Sequence, residues 1–234
     1  MPVRAVLFDK DGTLVDIQAT LGPATCEVLR QLSGDNAELF ARMASLTCVD
    51  TAARRLLPGC PVISEATDVY GALWARLLGQ PLTVAFLQQV DALFLQATLR
   101  HLHPIGDPGA VMRELSARGL PLGVLTNDAE GSARQHLRRL GVDALVAFVC
   151  GYDSGFGQKP DANPVLAFAA RVNVRPNEVA VVGDSPHDLM SARAAGAVAV
   201  AVLSGPNDAA MLQPHADAVL PSIMKLPEWL TRKS

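Results

Sequence analysis

An α/β fold, a Rossmann-like parallel sheet core with an inserted all-helical domain, is predicted by three observations. Short apolar runs alternate with helical patterns from Pro104 onward, a similar run opens the chain at Val3–Phe8, and the long stretch between them lacks strand patterns. In the first region Leu120–Leu125, Leu145–Cys150, Glu178–Val182 and Ala197–Leu203 read as strands. They are separated by helices over Glu130–Leu140, Asn163–Val172 and Pro186–Ala195, the first and last ending at Gly141 and Gly196. Strands that are nearly continuously apolar are buried on both faces, so a parallel sheet is expected, with Val3–Phe8 as one of its members.

Between about residue 17 and residue 101 the periodicity changes. Leu82, Phe86, Val90, Leu93 and Ala97 share one helical face, as do Val69, Leu73 and Leu77, with breakers at Ser33-Gly34-Asp35, Pro58-Gly59 and Gly79-Gln80-Pro81. The expected organisation is therefore a discontinuous α/β core, 1–16 with 102–234, and a helical insertion, 17–101.

Half of the 234 residues are hydrophobic and 18% are charged, which fits a sizeable buried core. A net charge of −3 gives no electrostatic reason to expect nucleic acid or an anionic membrane as partner. The apolar run Ala194–Leu203 is about half the ~20 residues that a membrane helix needs. The chain enters a strand pattern without a signal-peptide layout, and its four cysteines, Cys26, Cys48, Cys60 and Cys150, form no Cys-x-x-Cys pair. Reduced thiols in a cytoplasmic protein are expected. The oligomeric state is left at monomer or homodimer.

Ligands of open α/β sheets bind beyond the carboxyl ends of the strands. Polar clusters stand at those ends: Asp9-Lys10-Asp11-Gly12-Thr13, Thr126-Asn127 and Gly183-Asp184-Ser185, with Lys159 in the loop after Cys150. Asp9 and Asp11, two residues apart at a strand terminus, can face one cleft before Gly12 turns the chain away. A calcium-loop reading fails, since Leu14 and Thr20 stand where glycine and glutamate are needed. A surface Asp-Gly turn is the bland alternative.

The chemistry that fits is attack of Asp9 on a phosphate monoester, its carboxylate being the normal state at pH 7. Asp11 serves as acid toward the leaving alkoxide and then as base toward water. Asp9, a backbone oxygen of Asp11, and Asp184 form a hard-oxygen set suited to Mg²⁺, with Asp188 one helical turn on as support. The Thr126 hydroxyl and the Lys159 ammonium suit phosphoryl oxygens. Lys10 reads as a spacer whose side chain points to the other side of the strand.

These residues carry a family resemblance. Phe8–Asp16 (FDKDGTLVD), Leu125-Thr126-Asn127, Lys159-Pro160 and Val181–Asp188 (VVGDSPHD) together resemble the four motifs of the haloacid dehalogenase superfamily, in its phosphoglycolate phosphatase-like branch. The resemblance implies Asp9 as nucleophile, Asp11 as acid/base, phosphate binding by Thr126 and Asn127, a charge-balancing Lys159, and Asp184 as metal ligand supported by Asp188. It also implies Mg²⁺ as cofactor, a small phosphorylated metabolite as substrate, and an all-helical cap domain of the class inserted after the first motif. Lys10 departs from the apolar residue usual between the two aspartates.

Asp11 argues against a dehalogenase, and the absence of lysine between residues 16 and 101 argues against a phosphonate hydrolase. A phosphosugar mutase and a non-catalytic binding module remain as alternatives. In the insertion the cations Arg30, Arg42, Arg54, Arg55, Arg76 and Arg100 are candidates for a second anionic group, Trp74 and Phe94 read as core, and His187 reads as a helix-start residue facing solvent.

Overall fold

The computed structural model describes residues 2–233, the side chains of Ser64 and Lys233 excepted. The chain begins with β1 (Ala5–Phe8) and then enters the insertion. This comprises α1 (Ile17–Ser33), α2 (Ala37–Leu46), β2 (Val49–Asp50), β3 (Arg55–Leu56), α3 (Pro61–Ser64), α4 (Thr67–Leu77) and α5 (Val84–His101). Then follow α6 (Pro108–Ala117), β4 (Leu122–Leu125), α7 (Glu130–Arg139), β5 (Val146–Cys150), α8 (Asn163–Arg171), β6 (Val179–Gly183) and α9 (Pro186–Ala195). The chain closes with β7 (Val198–Val202), α10 (Ala209–Leu212), β8 (Ala218–Leu220) and α11 (Leu226–Lys233). It divides into two compact units, one of residues up to Asp16 and from Pro104 onward, the other Ile17–His103.

In the first unit six strands lie in the order β5-β4-β1-β6-β7-β8, every pair parallel. The middle strands AVLF, LGVL and VAVVG are buried along their whole length, as a sheet covered on both faces requires. Leu7, Leu125 and Val181 pack with Phe168 of α8 and Leu189 of α9. The alternate residues Val6, Phe8, Val124 and Val182 are equally buried, and α6, with Met112 and Leu115 fully enclosed, packs on β4. β1 sits at the point where the strand order reverses: its sequence neighbour β4 lies on one side, β6 on the other. A crevice opens beyond the carboxyl ends at such a point. The expectations missed β8, whose three residues carry too little pattern to register, and the helices α6, α10 and α11.

The second unit has its own core: Leu21, Val28 and Leu29 of α1, Met43 of α2, and Phe86, Val90 and Ala97 of α5, closed by Tyr70, Trp74 and Phe94. Trp74 and Phe94 stack with ring centroids 6.0 Å apart, which makes them core. Two corrections arise here. The unit is not purely helical: β2 and β3 form an antiparallel ribbon, Val49 opposite Leu56 and Asp50 opposite Arg55. Asp50 closes the intervening turn by accepting hydrogen bonds from the N–H groups of Ala52 (3.0 Å) and Ala53 (2.9 Å), a local device that hydrophobic periodicity does not reveal. The buried face of α4 is also Tyr70, Gly71, Trp74 and Ala75; of the expected Val69, Leu73 and Leu77, only Leu77 packs, partly buried, against the core. Val69 is exposed, because the large aromatic side chains bury more area and turn the helix toward themselves.

Gly123 in β4 measures how tightly the sheet is covered. A Cβ at that position would lie 2.7 Å from the Phe168 ring and 2.8 Å from Leu7. Gly123→Ala should therefore destabilise the protein by about 1–3 kcal/mol through overpacking, read as a lower urea midpoint with an unchanged slope. An unchanged midpoint would mean that α8 is not seated as described.

Candidate active site

Asp9 follows β1 directly and stays in register with the sheet, its N–H donating to the Val182 carbonyl at 2.8 Å. The chain then turns: the N–H groups of Leu14 and Val15 return to the Lys10 carbonyl at 2.8 and 3.0 Å, and Gly12 takes φ +88°. A side chain at Gly12 would be strained, and its Cβ would lie 2.3 Å from Oδ2 of Asp184. The first cluster can therefore approach the end of β6 only as backbone.

Asp184 follows β6 and is buried. The Thr13 hydroxyl donates to its Oδ1 at 3.3 Å, and the Asn207 side-chain amide donates to its backbone carbonyl at 3.1 Å. A Cβ on Gly205 would sit 1.8 Å from Oδ2 of Asp184, and the Ser204 hydroxyl donates to the Gly12 carbonyl at 2.7 Å. The loop after β7 thus wraps the Asp184 carboxylate. Sequence reasoning missed Ser204, Gly205 and Asn207. The available signal was a Ser-Gly-Pro-Asn run at the carboxyl end of a strand, the same position as the other clusters.

Asp188 belongs to a capping box at the start of α9. Its Oδ2 accepts from the Ser185 hydroxyl (2.7 Å) and the Ser185 N–H (3.0 Å), with Pro186 at the first helical position. Its Oδ1 accepts from the Lys159 ammonium at 2.6 Å, and the same ammonium donates to Oδ1 of Asp9 at 2.5 Å. Asn127 fixes Lys159 from the end of β4. Its side-chain oxygen accepts from the Lys159 N–H at 3.1 Å, and its amide donates to the Lys159 carbonyl at 3.3 Å. The Asn127 side chain is thus engaged with backbone. Thr126 is buried beside it, its hydroxyl oxygen accepting from the Asp128 N–H at 3.1 Å. Asp9, Lys159, Asp184 and Asp188, from three segments of chain, meet at the switch point, and Thr126 stands buried at the end of the neighbouring β4.

Lys10 is not a bare spacer. It is buried, and its ammonium lies 2.6 Å from Oδ2 of Asp11 and 3.1 Å from Oδ2 of Asp128. Burial works against its charge, but the two carboxylates outweigh burial and raise its pKa. Lysine in this environment satisfies two partners, which an alternation argument about strand faces could not foresee.

Among the described residues, Asp9, Asp184 and Asp188 form a group in which one oxygen of each lies within 4.8 Å of the others. Three carboxylates face one ammonium there. Burial opposes the Lys159 charge, but Asp188 and Asp9 overcome it and hold the amine protonated. Burial, only partly offset by Lys159 and reinforced by Asp188 and Asp11, pushes Asp9 up to about 7. Burial and the charges of Asp9 and Asp188 drive Asp184 well above its ordinary 3.8. Oδ2 of Asp9 is buried with no hydrogen-bond partner. An all-oxygen group with excess negative charge and an orphaned carboxylate oxygen fits a hard divalent cation.

The candidate cations of the other unit are exposed. Arg100 pairs with Glu27, and Arg30 lies over the Phe40 ring at 5.4 Å. His187 is half-buried rather than solvent-facing, its Nδ1 enclosed without a partner.

A parallel sheet whose switch point gathers carboxylates and a lysine defines an α/β enzyme with an acidic crevice. The chain belongs to the haloacid dehalogenase-like hydrolase family, whose model matches residues 3–196. It is 31% identical to a phosphoglycolate phosphatase of Rhodospirillum rubrum, covering 97% of this chain and 90% of that one. It is 32% identical to a phosphoglycolate phosphatase of Xanthomonas campestris pv. campestris, covering 86% and 84%. A predicted phosphoglycolate phosphatase from Haemophilus somnus shares the fold with a TM-score of 0.72 at 19% identity, covering 97% of both chains.

The raised pKa of Asp184 has a thermodynamic consequence. In the unfolded chain the group ionises near 3.8; in the folded, metal-free protein it keeps its proton to higher pH. Over that window the folded state binds more protons, so stability falls as pH rises. Asp184→Asn removes the charge and should raise metal-free stability by about 1–3 kcal/mol at pH 8, with no gain near pH 4. Urea unfolding in EDTA at the two pH values reads this; a variant less stable than wild type at pH 8 would contradict it.

Proposed function

We propose that the protein is a Mg²⁺-dependent phosphatase that hydrolyses a small phosphate monoester, phosphoglycolate-like or a sugar phosphate, through an aspartyl-phosphate on Asp9. The observation that carries this reading is the state of Asp9. One carboxylate oxygen is held by Lys159, and the other is buried, unpartnered and set among two further carboxylates. A structural aspartate would have both oxygens satisfied. The relatives named phosphoglycolate phosphatase support the same choice of reaction and substrate class.

In this mechanism the Asp9 carboxylate attacks phosphorus as the bond to the ester oxygen breaks, and Asp11 gives that oxygen its proton. Oδ1 of Asp11 is buried without a partner, as a group reserved for a transient proton transfer would be. Asp11, now a carboxylate, takes a proton from water as the water oxygen attacks phosphorus. Inorganic phosphate leaves and Asp9 is regenerated. Lys159 keeps Asp9 from repelling a dianionic substrate, and Asp188 fixes Lys159. Thr126, with neighbouring backbone N–H groups, faces the phosphoryl oxygens. Asp9, Asp184 and a backbone oxygen of Asp11 would hold Mg²⁺, with Asp188 in support. The ion supplies the positive charge that lets two anions meet. Ile17–His103 is read as the family's cap, and the substrate as a small cytoplasmic phosphorylated metabolite.

Asp9→Asn should reduce turnover by at least about a thousandfold while leaving the far-UV spectrum and cooperative unfolding intact. A phosphate-release screen over phosphoglycolate, sugar phosphates, nucleotides and phosphoamino acids, with this variant as blank, checks it. Retained activity in the variant refutes the nucleophile. Isomer interconversion of a bisphosphorylated hexose without net phosphate release would favour a phosphosugar mutase instead.

EDTA should abolish release and added Mg²⁺ restore it, with Asp184→Asn requiring at least about tenfold more Mg²⁺. Turnover that survives chelation would remove the metal from the mechanism.

A further inference from the structure

Lys10 is a buried charge that the mechanism above leaves unused. An apolar side chain would fill its place without the several kcal/mol that desolvating an ammonium typically costs. Its partners explain what it does instead. Its ammonium contacts Oδ2 of Asp11 at 2.6 Å and Oδ2 of Asp128 at 3.1 Å. Asp128 is itself anchored. Its Oδ2 accepts from the Ser132 hydroxyl in the first turn of α7 at 2.8 Å, and its Oδ1 accepts from the Ala129 N–H at 2.7 Å. Its backbone carbonyl accepts from the Tyr152 N–H, in the loop after β5, at 3.1 Å. Ser132, Asp128, Lys10 and Asp11 therefore make one connected line from a helix to the acid/base carboxylate.

We propose that Lys10, anchored by Asp128, is a positioning residue that holds Asp11 by one oxygen, Oδ2, and so presents the other, Oδ1, to the leaving group. This rests on the reading of Asp11 as acid/base. A carboxylate turns readily about its terminal torsion, and one that only faced solvent would sample many settings. A charge-assisted hydrogen bond to one oxygen removes that freedom and leaves Oδ1, the buried atom without a partner, as the one available for proton transfer. Lys10 touches no reacting atom. Its effect runs through Asp11, and Asp128 makes the loop after β4 part of the acid/base apparatus.

The test compares kcat/KM for p-nitrophenyl phosphate, whose leaving group departs unaided, with phenyl phosphate, whose leaving group needs the proton. Asp11→Asn calibrates the effect: it should lose far more activity on phenyl phosphate. Lys10→Met should show the same skew, about tenfold or more, and Asp128→Asn, which frees the far end of the ammonium, a smaller one. Equal losses on both esters in Lys10→Met, with the skew present in Asp11→Asn, overturn the proposal alone. No skew in Asp11→Asn overturns the acid/base reading instead.

Urea unfolding in EDTA gives a readout independent of turnover. Lys10→Met should cost less stability in the Asp11→Asn background than in wild type, because the contact is already weakened. Additive losses would overturn the proposal. If Lys10→Met does not fold, the same cycle on Asp128→Asn and Asp11→Asn decides it: the anchored line requires coupling between them, and additivity breaks it.

Discussion

The Lys159 ammonium, shared between Asp9 at 2.5 Å and Asp188 at 2.6 Å, is the contact on which the rest of the site depends. Each of its three members comes from a different segment. Asp9 lies at the end of β1, Asp188 in the first turn of α9, and Lys159 in a loop pinned by Asn127 at the end of β4. The contact can form only if three neighbouring strands end at one level and β1 lies between β4 and β6. The parallel register of β1 with both neighbours provides that arrangement. In return, the ion triad ties together three segments of chain. Removing Lys159 would leave its two carboxylates buried and uncompensated, the most destabilising way to break such a group.

The space around the triad is cleared by absent side chains and rigidified by helix chemistry. A Cβ on Gly183 would lie 2.2 Å from Cγ of Asp188, and one on Gly205 would fall on the Asp184 carboxylate. Backbone therefore packs directly against carboxylates, and the acidic groups come closer together than ordinary side chains would permit. The Ser185–Asp188 capping box performs two tasks at once. It satisfies N-terminal N–H groups of α9, and it fixes the carboxylate that orients Lys159.

Most of this architecture was legible because burial writes a simple pattern. Strands buried on both faces are apolar throughout, and the helices after β6 and β4 begin and end at readable signals such as Pro186 and Gly196. The convergence of Asp9, Asp184 and Lys159 was legible for a different reason: the two aspartates stand just beyond strand ends and Lys159 in the loop after another, where a parallel sheet must place its crevice. What stayed hidden depends on contacts between distant residues of unremarkable type. Ser204, Gly205 and Asn207 look like an ordinary turn until Asp184 is seen against them. The β2–β3 ribbon rests on one Asp50 side chain rather than on a period. The α4 face was misassigned because equal spacing cannot rank valine and leucine against tyrosine and tryptophan. Lys10 was misjudged because its burial depends on Asp128, 118 positions along the chain.

Among the described residues the two buried lysines are asymmetric in a way that bears on how the chemistry is divided. Lys159 is shared by two carboxylates of the acidic group, whereas Lys10 is shared by Asp11 and by Asp128, which stands outside that group. Adjacent carboxylates two residues apart would otherwise experience nearly the same field. Each has its own ammonium instead. Asp9 is left in a like-charge cluster whose excess a bound cation would balance, which suits the nucleophile role proposed for it. Asp11 is held by the Lys10 ammonium, which Asp128 also faces. One strand end can therefore carry two carboxylates in two roles, because the surrounding charges, rather than the carboxylates themselves, differ.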